Sequence, residues 1–473
     1  MTTPGLWTGL GLIGALNARI SGGLPREVGG ISIDTRTLEK GDLFFAIKGD
    51  TLDGHDFVRA ALEKGAGAAV IDEAHASQFA GVGPLFIVRN VQDSLERLGA
   101  RARERTNAFI AAVTGSVGKT TTKDMTAAML ARFGAAHCSL ASYNNHWGAP
   151  LSLARMPAAT RFGVFELGMN HAGELAALTA QVRPHVAVVT TVAPVHLEHF
   201  DSIEAIADAK AEIFSGLIEG GVAILNRDDA TYDRLFQAAA PRAAHVLTFG
   251  EHESASARLF SYRTEGDTGV VEAGILGRAV SYRIGAPGRH VAMDSLAALL
   301  IATVFDLDVE AAAATLADFA PPKGRGERHR ITLADGGEIL LLDESYNANP
   351  TSMRAALRLL ADTAPAPGGR RIAVLGDMLE LGPRGGELHA ELAEDVEKAG
   401  VDQLFTAGRL SAQLAYAVSD ARRGAHRAGA DELVDVVLAA LRPGDVVMVK
   451  SSNGTRLSRV AAAIKSLAAP AKA

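Results

Sequence analysis

Thr114-Gly115-Ser116-Val117-Gly118-Lys119-Thr120-Thr121 follows the apolar run Ala108-Phe109-Ile110-Ala111-Ala112-Val113 and precedes a segment, Thr122 to Phe133, that reads as a helix. Strand, glycine loop, Lys-Thr and helix in that order make the layout of a phosphate-binding loop. Glycines let backbone N–H groups close on phosphate oxygens, and a helix N-terminus adds a favourable dipole. The Lys119 ammonium would reach the outer phosphates, and the Thr120 hydroxyl could ligate Mg²⁺. The commoner loop is G-x-x-x-x-G-K-[ST]. Here Val113 holds the first glycine's place, so the pattern shortens to G-x-x-G-K-T. The competing reading is a turn that happens to contain Gly-Lys-Thr, and the strand and helix on the correct sides argue against it.

Outward from the loop, 473 residues suggest two or three domains. The chain is 48% hydrophobic, which gives ample core for a soluble globular protein. A formal net charge of -7 and the lack of a long basic run disfavour a nucleic-acid surface. The single cysteine, Cys138, rules out a disulfide framework and a cysteine metal cluster, which fits a reducing cytoplasm. Leu6 to Ile20 is apolar but broken by Thr8, Asn17, Arg19 and glycines, and no basic segment precedes it. It does not read as a signal peptide, and no run is long and clean enough to insert in a membrane.

Residues 1–105 read as a small α/β unit, with strands at Ile31–Asp34, Leu43–Ile47, Ala68–Ile71 and Leu85–Val88 and a helix from His55 to Lys64. Asp34-Thr35-Arg36 and Lys48-Gly49-Asp50 fall just after strands. By themselves they read as surface charge.

Residues 106–320 alternate apolar strands with helical segments, which argues for a mostly parallel sheet covered on both faces. The expected strands are Ala108–Val113, Gly163–Leu167, Val186–Val192 and Val222–Leu225. Short strands with glycine turns follow from Leu259 to Ile284, then a helix from Val291 to Phe305. Ligands of open parallel sheets sit beyond the carboxyl ends of the strands. Glu166 and His196 would share that edge with the loop. A carboxylate among apolar neighbours needs compensation, from a metal ion or from an unseen Arg or Lys. His196 alone reads as an ordinary loop histidine. Lys210 lies inside the apolar stripe Ile203, Ile206, Ile213, Phe214, Leu217 of a helical segment from Ser202 to Leu217. A lysine there must snorkel, pair or lose its charge. In the last case its neutral amine could take up CO₂ as a carbamate able to hold a metal.

Residues 321–473 read as a second doubly wound unit, Rossmann-like but without a phosphate loop of its own. Its expected strands are Gly336–Asp343, Arg371–Leu375, Gln403–Thr406 and Asp445–Val449. Polar groups cluster after the strand ends: Asp343-Glu344-Ser345-Tyr346-Asn347, Asp377 with Glu380, and Lys450-Ser451-Ser452-Asn453. Pro321-Pro322-Lys323-Gly324-Arg325-Gly326 reads as linker and hinge.

Over nearly its whole length the chain resembles the Mur ligases, the family that builds the peptide stem of peptidoglycan. The residues that carry the resemblance are Asp34-Thr35-Arg36, the short Gly-Lys-Thr loop, Asn144-Asn145-His146-Trp147-Gly148-Ala149-Pro150, Phe165-Glu166-Leu167-Gly168-Met169-Asn170 and Ala209-Lys210-Ala211-Glu212-Ile213-Phe214. Ser345-Tyr346-Asn347-Ala348-Asn349-Pro350 and Gly376-Asp377-Met378-Leu379-Glu380-Leu381-Gly382 point to the branch that adds D-alanyl-D-alanine to UDP-muramoyl-tripeptide.

The resemblance implies three domains, holding in turn the UDP end of the substrate, ATP and the incoming dipeptide. It implies that Thr114 to Thr121 hold ATP, that Thr120 and Glu166 hold one Mg²⁺, and that His196 and carbamylated Lys210 help hold a second. Arg325 would reach the γ-phosphate. Asn347, with Asp343 or Glu344, would reach the nucleotide. Asp34, Thr35, Arg36 and Lys48 would lie near the uridine diphosphate, Asn144 and Asn145 along the muramoyl peptide, and Asp377 and Lys450 would be further substrate contacts. Many members carry two asparagines on the adenine side where this chain has Val291 and Asp294, and Glu344 stands where aspartate is frequent. A cytoplasmic monomer is expected.

Other readings are a sister Mur ligase, a folylpolyglutamate synthetase, a P-loop switch that hydrolyses ATP, and a non-catalytic binding protein. The Asp34-Thr35-Arg36 unit argues against the folate enzyme and Ser345–Pro350 against the sisters. The third unit's polar edge argues against a simple switch.

Overall fold

The fold is seen in a computed structural model that describes residues 5–140, 143–195 and 198–468. Three larger sheets follow one another along the chain. The first orders Arg19–Ser21, Leu85–Val88, Ala68–Asp72, Leu43–Phe45 and Ile31–Ser32, all parallel except its first strand. A small antiparallel pair, Trp7–Thr8 with Glu27–Val28, stands beside it.

The second sheet has nine strands. Its parallel part runs Ala257–Glu265, His245–Gly250, Val222–Asn226, Val186–Val189, Phe109–Thr114, Phe162–Glu166 and Ala136–Cys138. The strand that feeds the glycine loop, Phe109–Thr114, therefore lies between Val186–Val189 and Phe162–Glu166. Strand side chains alternate between faces. Ala111, Val113, Val164, Val186 and Val188 enter one core, while Ile110, Ala112, Phe165, Ala187 and Val189 enter the other. That two-sided burial is what the continuous apolar runs demanded.

The third sheet orders Glu327–Thr332, Glu338–Glu344, Val446–Lys450, Arg371–Gly376, Gln403–Ala407 and Arg423–Arg427, parallel except for its first pair. The fold is mixed α/β with mostly parallel sheets, as the alternation of strands and helices suggested. No helix among the described residues is long and apolar enough to cross a membrane.

The structure departs from the sequence reading in several places. The helix after the loop starts at Lys119 rather than Thr122 and ends at Leu130, because Gly118 at φ +84° turns the chain directly into it. The segment 203–217 is a helix only over Ile203–Ala211 and tightens to a 3-10 turn over Glu212–Gly216. From 257 to 284 the strands are long, Ala257–Glu265, Thr268–Ile275 and Arg278–Ile284, joined antiparallel.

The first core also reaches across the expected division at residue 105. Leu151 and Ala154, from the helix Gly148–Ala154, pack with Trp7, Leu12, Leu95 and Leu98. The Trp7 indole N–H donates to Ala154 O at 2.9 Å. A Cβ on Gly99 would come within 2.9 Å of Pro150 O, so this close helix pairing needs glycine there.

Strand Val446–Lys450, which delivers Lys450 to the edge of the third sheet, is anchored at its start by Asp445. That buried carboxylate takes the Arg370 guanidinium at 2.7 and 3.2 Å and the backbone N–H groups of Arg370 and Arg442 at 2.9 and 3.0 Å. Asp445→Ala should cost about 3 kcal/mol, because it strands a half-buried cation and two donors. The check is a lowered urea midpoint at unchanged slope, and an unchanged midpoint would refute the anchor.

Candidate active site

The loop between Phe109–Thr114 and the helix Lys119–Leu130 is pinned to the next strand's end. Ser116 N donates to Thr191 O at 2.7 Å and the Ser116 hydroxyl to Ala193 O at 3.1 Å. The Thr190 hydroxyl donates to Thr114 O and Val117 O. Gly115, at φ +152°, leaves no room for a side chain, since a Cβ would sit 1.9 Å from Thr190 Oγ1. These contacts hold the loop's backbone in shape before any ligand arrives.

Glu166 ends its strand almost fully buried, at 1% exposure. The Thr120 hydroxyl donates to its Oε2 at 2.8 Å and the Asn144 amide to its Oε1 at 2.7 Å. The carboxylate is therefore compensated by two neutral donors, and it ties the loop threonine to the Asn144-Asn145 segment. Lys119 turns back to donate to Gly115 O at 2.6 Å. Burial lowers its pKa, with Glu166 opposing and Arg325 reinforcing the shift.

Lys210 is 2% exposed and lines the same cleft. Burial, then the charge of Lys119, pushes its pKa well below the ordinary lysine value. Of the alternatives open to a lysine in an apolar stripe, loss of charge is the one its surroundings favour. His196 lies outside the described residues.

The facing wall comes from the third sheet. The cleft, of about 840 Å³, is lined by Ser116 to Thr121, Asn144, Glu166, Lys210 and Asp294 on one side and by Arg325, Glu344, Asn347 and Lys450 on the other. Lys450 donates to Glu344 Oε2 at 3.3 Å and to Asn347 O at 3.0 Å. The structure separates Asp343 from Glu344. Glu344 faces the cleft, whereas Asp343 accepts from Lys465 at 2.7 Å and from the Ser345 hydroxyl at 2.6 Å. Burial would raise the Asp343 pKa, but these bonds outweigh it and hold it below the usual range. Arg325 sits on a tight turn with its guanidinium 4.2 Å from the Tyr346 ring centre.

Other expected site residues stand elsewhere. Asp34 and Arg36 form a bidentate pair at 3.0 and 2.7 Å beyond the first sheet, with Arg36 87% exposed. Lys64 donates to Thr35 O and Arg36 O. The Lys48 backbone pairs antiparallel with that of Asp53 in an isolated β-bridge, and the Gly49 beside it packs near the Trp147 ring. Asn145 Oδ1 caps the helix Gly148–Ala154 through the N–H of Gly148 at 2.9 Å. Asp377 Oδ1 accepts from the N–H groups of Leu410 and Ser411 at 3.0 and 2.7 Å. None of these lines the cleft.

Thr190, Thr191 and the cleft face of helix Pro350–Asp362, including Arg354 and Arg358, were not singled out from sequence. The strand-edge rule could have found the two threonines, which follow Val186–Val189 directly. No such rule finds the arginines on a helix face.

A self-braced phosphate loop that faces a second doubly wound unit across a cleft defines a P-loop protein with a second α/β unit walling its site. Known proteins narrow the class. The Mur ligase middle domain matches residues 113–302, the Mur ligase glutamate ligase domain residues 324–453, and the Mur ligase family catalytic domain residues 27–131. The UDP-N-acetylmuramoyl-tripeptide–D-alanyl-D-alanine ligase of Rickettsia prowazekii (strain Madrid E) is 30% identical over 456 residues, 96% of this chain and 99% of that protein. A crystal structure of MurF from Acinetobacter baumannii superposes with TM-score 0.83 at 26% identity, covering 97% of this chain and 99% of that one. MurF from Thermotoga maritima in complex with ADP has the same fold, with TM-score 0.76 at 24% identity and 93% and 97% coverage. This chain belongs to the Mur ligase family.

Gly118→Ala should weaken binding of a non-hydrolysable ATP analogue more than about tenfold, because φ +84° and a Cβ 2.6 Å from Asp294 Oδ1 are both refused by alanine. Titration calorimetry at unchanged circular dichroism is the check, and undiminished affinity would refute the loop geometry.

Proposed function

We propose that this chain is an ATP-dependent ligase that joins D-alanyl-D-alanine to UDP-N-acetylmuramoyl-tripeptide during peptidoglycan precursor synthesis. The observation that carries the proposal is the loop whose Thr120 is bonded to Glu166, opposite a wall bearing Arg325, Glu344 and Lys450. The relatives at this similarity carry that activity in their names, and one was crystallised with ADP. A switch would need the loop but not the third sheet's polar edge.

A carboxylate and an amine do not condense in water at a useful rate. The tripeptide's terminal carboxylate oxygen would attack the γ-phosphorus of ATP, and ADP would leave. Lys119 and Arg325 would meet the charge on the transferring group. The dipeptide amine would then attack the acyl carbon and shed its proton, and phosphate would leave from the tetrahedral intermediate. Arg325 lies on the hinge turn of the third unit, so closure would complete the site and keep water from the acyl phosphate.

The hydroxyl of Thr120 and the carboxylate of Glu166 are hard oxygen donors that suit Mg²⁺, which would neutralise phosphate charge when bound. Lys210, buried and disposed to be neutral, fits uptake of CO₂, its amine forming a carbamate and releasing one proton. That carbamate, with His196, would offer oxygen and nitrogen donors to a second ion. Asp34, Thr35, Arg36 and Lys48 are proposed for the uridine diphosphate, Asn144 and Asn145 for the muramoyl peptide, and Asp377 with Lys450 for further substrate contacts. We take the three domains to be 1–105, 106–320 and 321–473, and the enzyme to act as a cytoplasmic monomer, where ATP and the UDP precursor are found.

Phosphate release should require both substrates together. Release indifferent to them would favour the switch. Lys119→Ala should abolish turnover with folding intact. Arg325→Ala should lower kcat by about 10²-fold or more, and a wild-type rate would remove the hinge arginine from the mechanism. Lys210→Ala should lose most activity and regain part of it with added short carboxylic acids, and full activity without rescue would end the carbamate assignment.

A further inference from the structure

Asp294 lies in the first turns of helix Arg289–Val304. The helix packs along Lys119–Leu130, the helix that the phosphate loop starts. Asp294 is 7% exposed, and its carboxyl fills the space that a side chain on Gly118 would need, with Oδ1 2.6 Å from that missing Cβ. A carboxyl thus stands directly beside Gly118, on the wall of the cleft whose loop backbone is built to receive phosphate.

Among the described residues, no cation compensates it. On the helix packed against it, Lys119 is turned to Gly115 O, and Lys123 is held by Asp124 and Ser139 O. On its own helix, Arg289 pairs with Glu251, and His290 is exposed. On the strands beneath, Arg258 donates to Glu251 O, Tyr282 bonds Ser295, and Tyr262 bonds Gly288 N. Thr122 is the one neighbour that favours ionisation, and it makes no full hydrogen bond to the carboxyl. Burial raises the Asp294 pKa well above the ordinary range. Phosphates seated on the loop would oppose its ionisation further, since like charges in a poorly solvated site repel.

We propose that Asp294 makes nucleotide binding by this chain proton-linked: the carboxyl beside Gly118 is neutral whenever phosphates occupy the loop, and ionising it weakens their hold. This rests on the nucleotide reading of the site. Asp294 sets affinity from the cleft wall beside the loop, with no part in the bond-making steps.

The test is calorimetric binding of ADP to the full chain and to Asp294→Asn, from about pH 6 to about pH 9. Asparagine keeps the shape without the proton. The two proteins should bind alike at the acid end. At the alkaline end the wild type should weaken relative to the variant, approaching tenfold per pH unit once Asp294 ionises in the free protein. A constant ratio of affinities across the range overturns the proposal. Absence of ADP binding by both proteins would instead overturn the nucleotide reading, and the linkage with it.

Ligand-free melting separates the two failures. A carboxyl whose folded pKa is raised contributes stability below its unfolded value near 4 that is lost as pH rises toward the folded value. Asp294→Asn should therefore melt higher than wild type at about pH 8, with the gap closing toward about pH 4. A gap independent of pH would show that Asp294 is not held neutral, and would overturn the proposal even if ADP binds.

Discussion

The Glu166 carboxylate is the constraint on which the rest of the site depends. It sits at the end of a buried strand, where an unmet charge would cost several kcal/mol. It is met by a hydroxyl from the phosphate loop and an amide from the Asn144 segment. One buried acid thereby fixes the loop helix, the strand edge and the polar segment that leads to the first domain's core. The parallel sheet makes this possible, because Phe109–Thr114 and Phe162–Glu166 are neighbours and end at the same edge.

The second half of the site comes from a different sheet and must be aimed by its own bracing. The turn carrying Arg325 is held where Gly326 N donates to Asp343 O and Tyr346 N donates to Gly324 O, at 2.9 and 3.0 Å. Behind it the Lys465 ammonium binds Asp343 at 2.7 Å and approaches Glu327 at 3.4 Å. Glu327, His329 and Asp343 crowd together like ligands of a metal, but the lysine already supplies the positive charge. Bracing at Lys465 and at Asp445 holds the wall on which Arg325 and Glu344 stand together in the cleft.

The sequence made the phosphate loop, Glu166 and Lys210 legible because each breaks a local rule: glycines before Lys-Thr, an acid ending an apolar strand, a lysine inside an apolar stripe. The parallel sheets were legible for the same reason, since runs such as Ala108–Val113 have no polar face. Other features were hidden because their signal is not local. Ala136–Cys138 and Arg423–Arg427 are short or polar strands that exist through pairing with neighbours already in place. The cleft face of helix Pro350–Asp362 is defined by a partner distant in sequence. Sequence left Asp343 and Glu344 equivalent, and only the register against Lys450 and the position of Lys465 set one toward the cleft and the other away.

The central claim is that this cleft activates a carboxylate by passing phosphate to it. The most direct measurement uses UDP-muramoyl-tripeptide with oxygen-18 in its terminal carboxylate, together with ATP and D-alanyl-D-alanine. Mass spectrometry of the products follows the label. An acyl phosphate route must leave one labelled oxygen in the released phosphate and one in the new amide. Label-free phosphate formed alongside joined peptide would contradict the account, because the carboxylate would then not have attacked the γ-phosphorus.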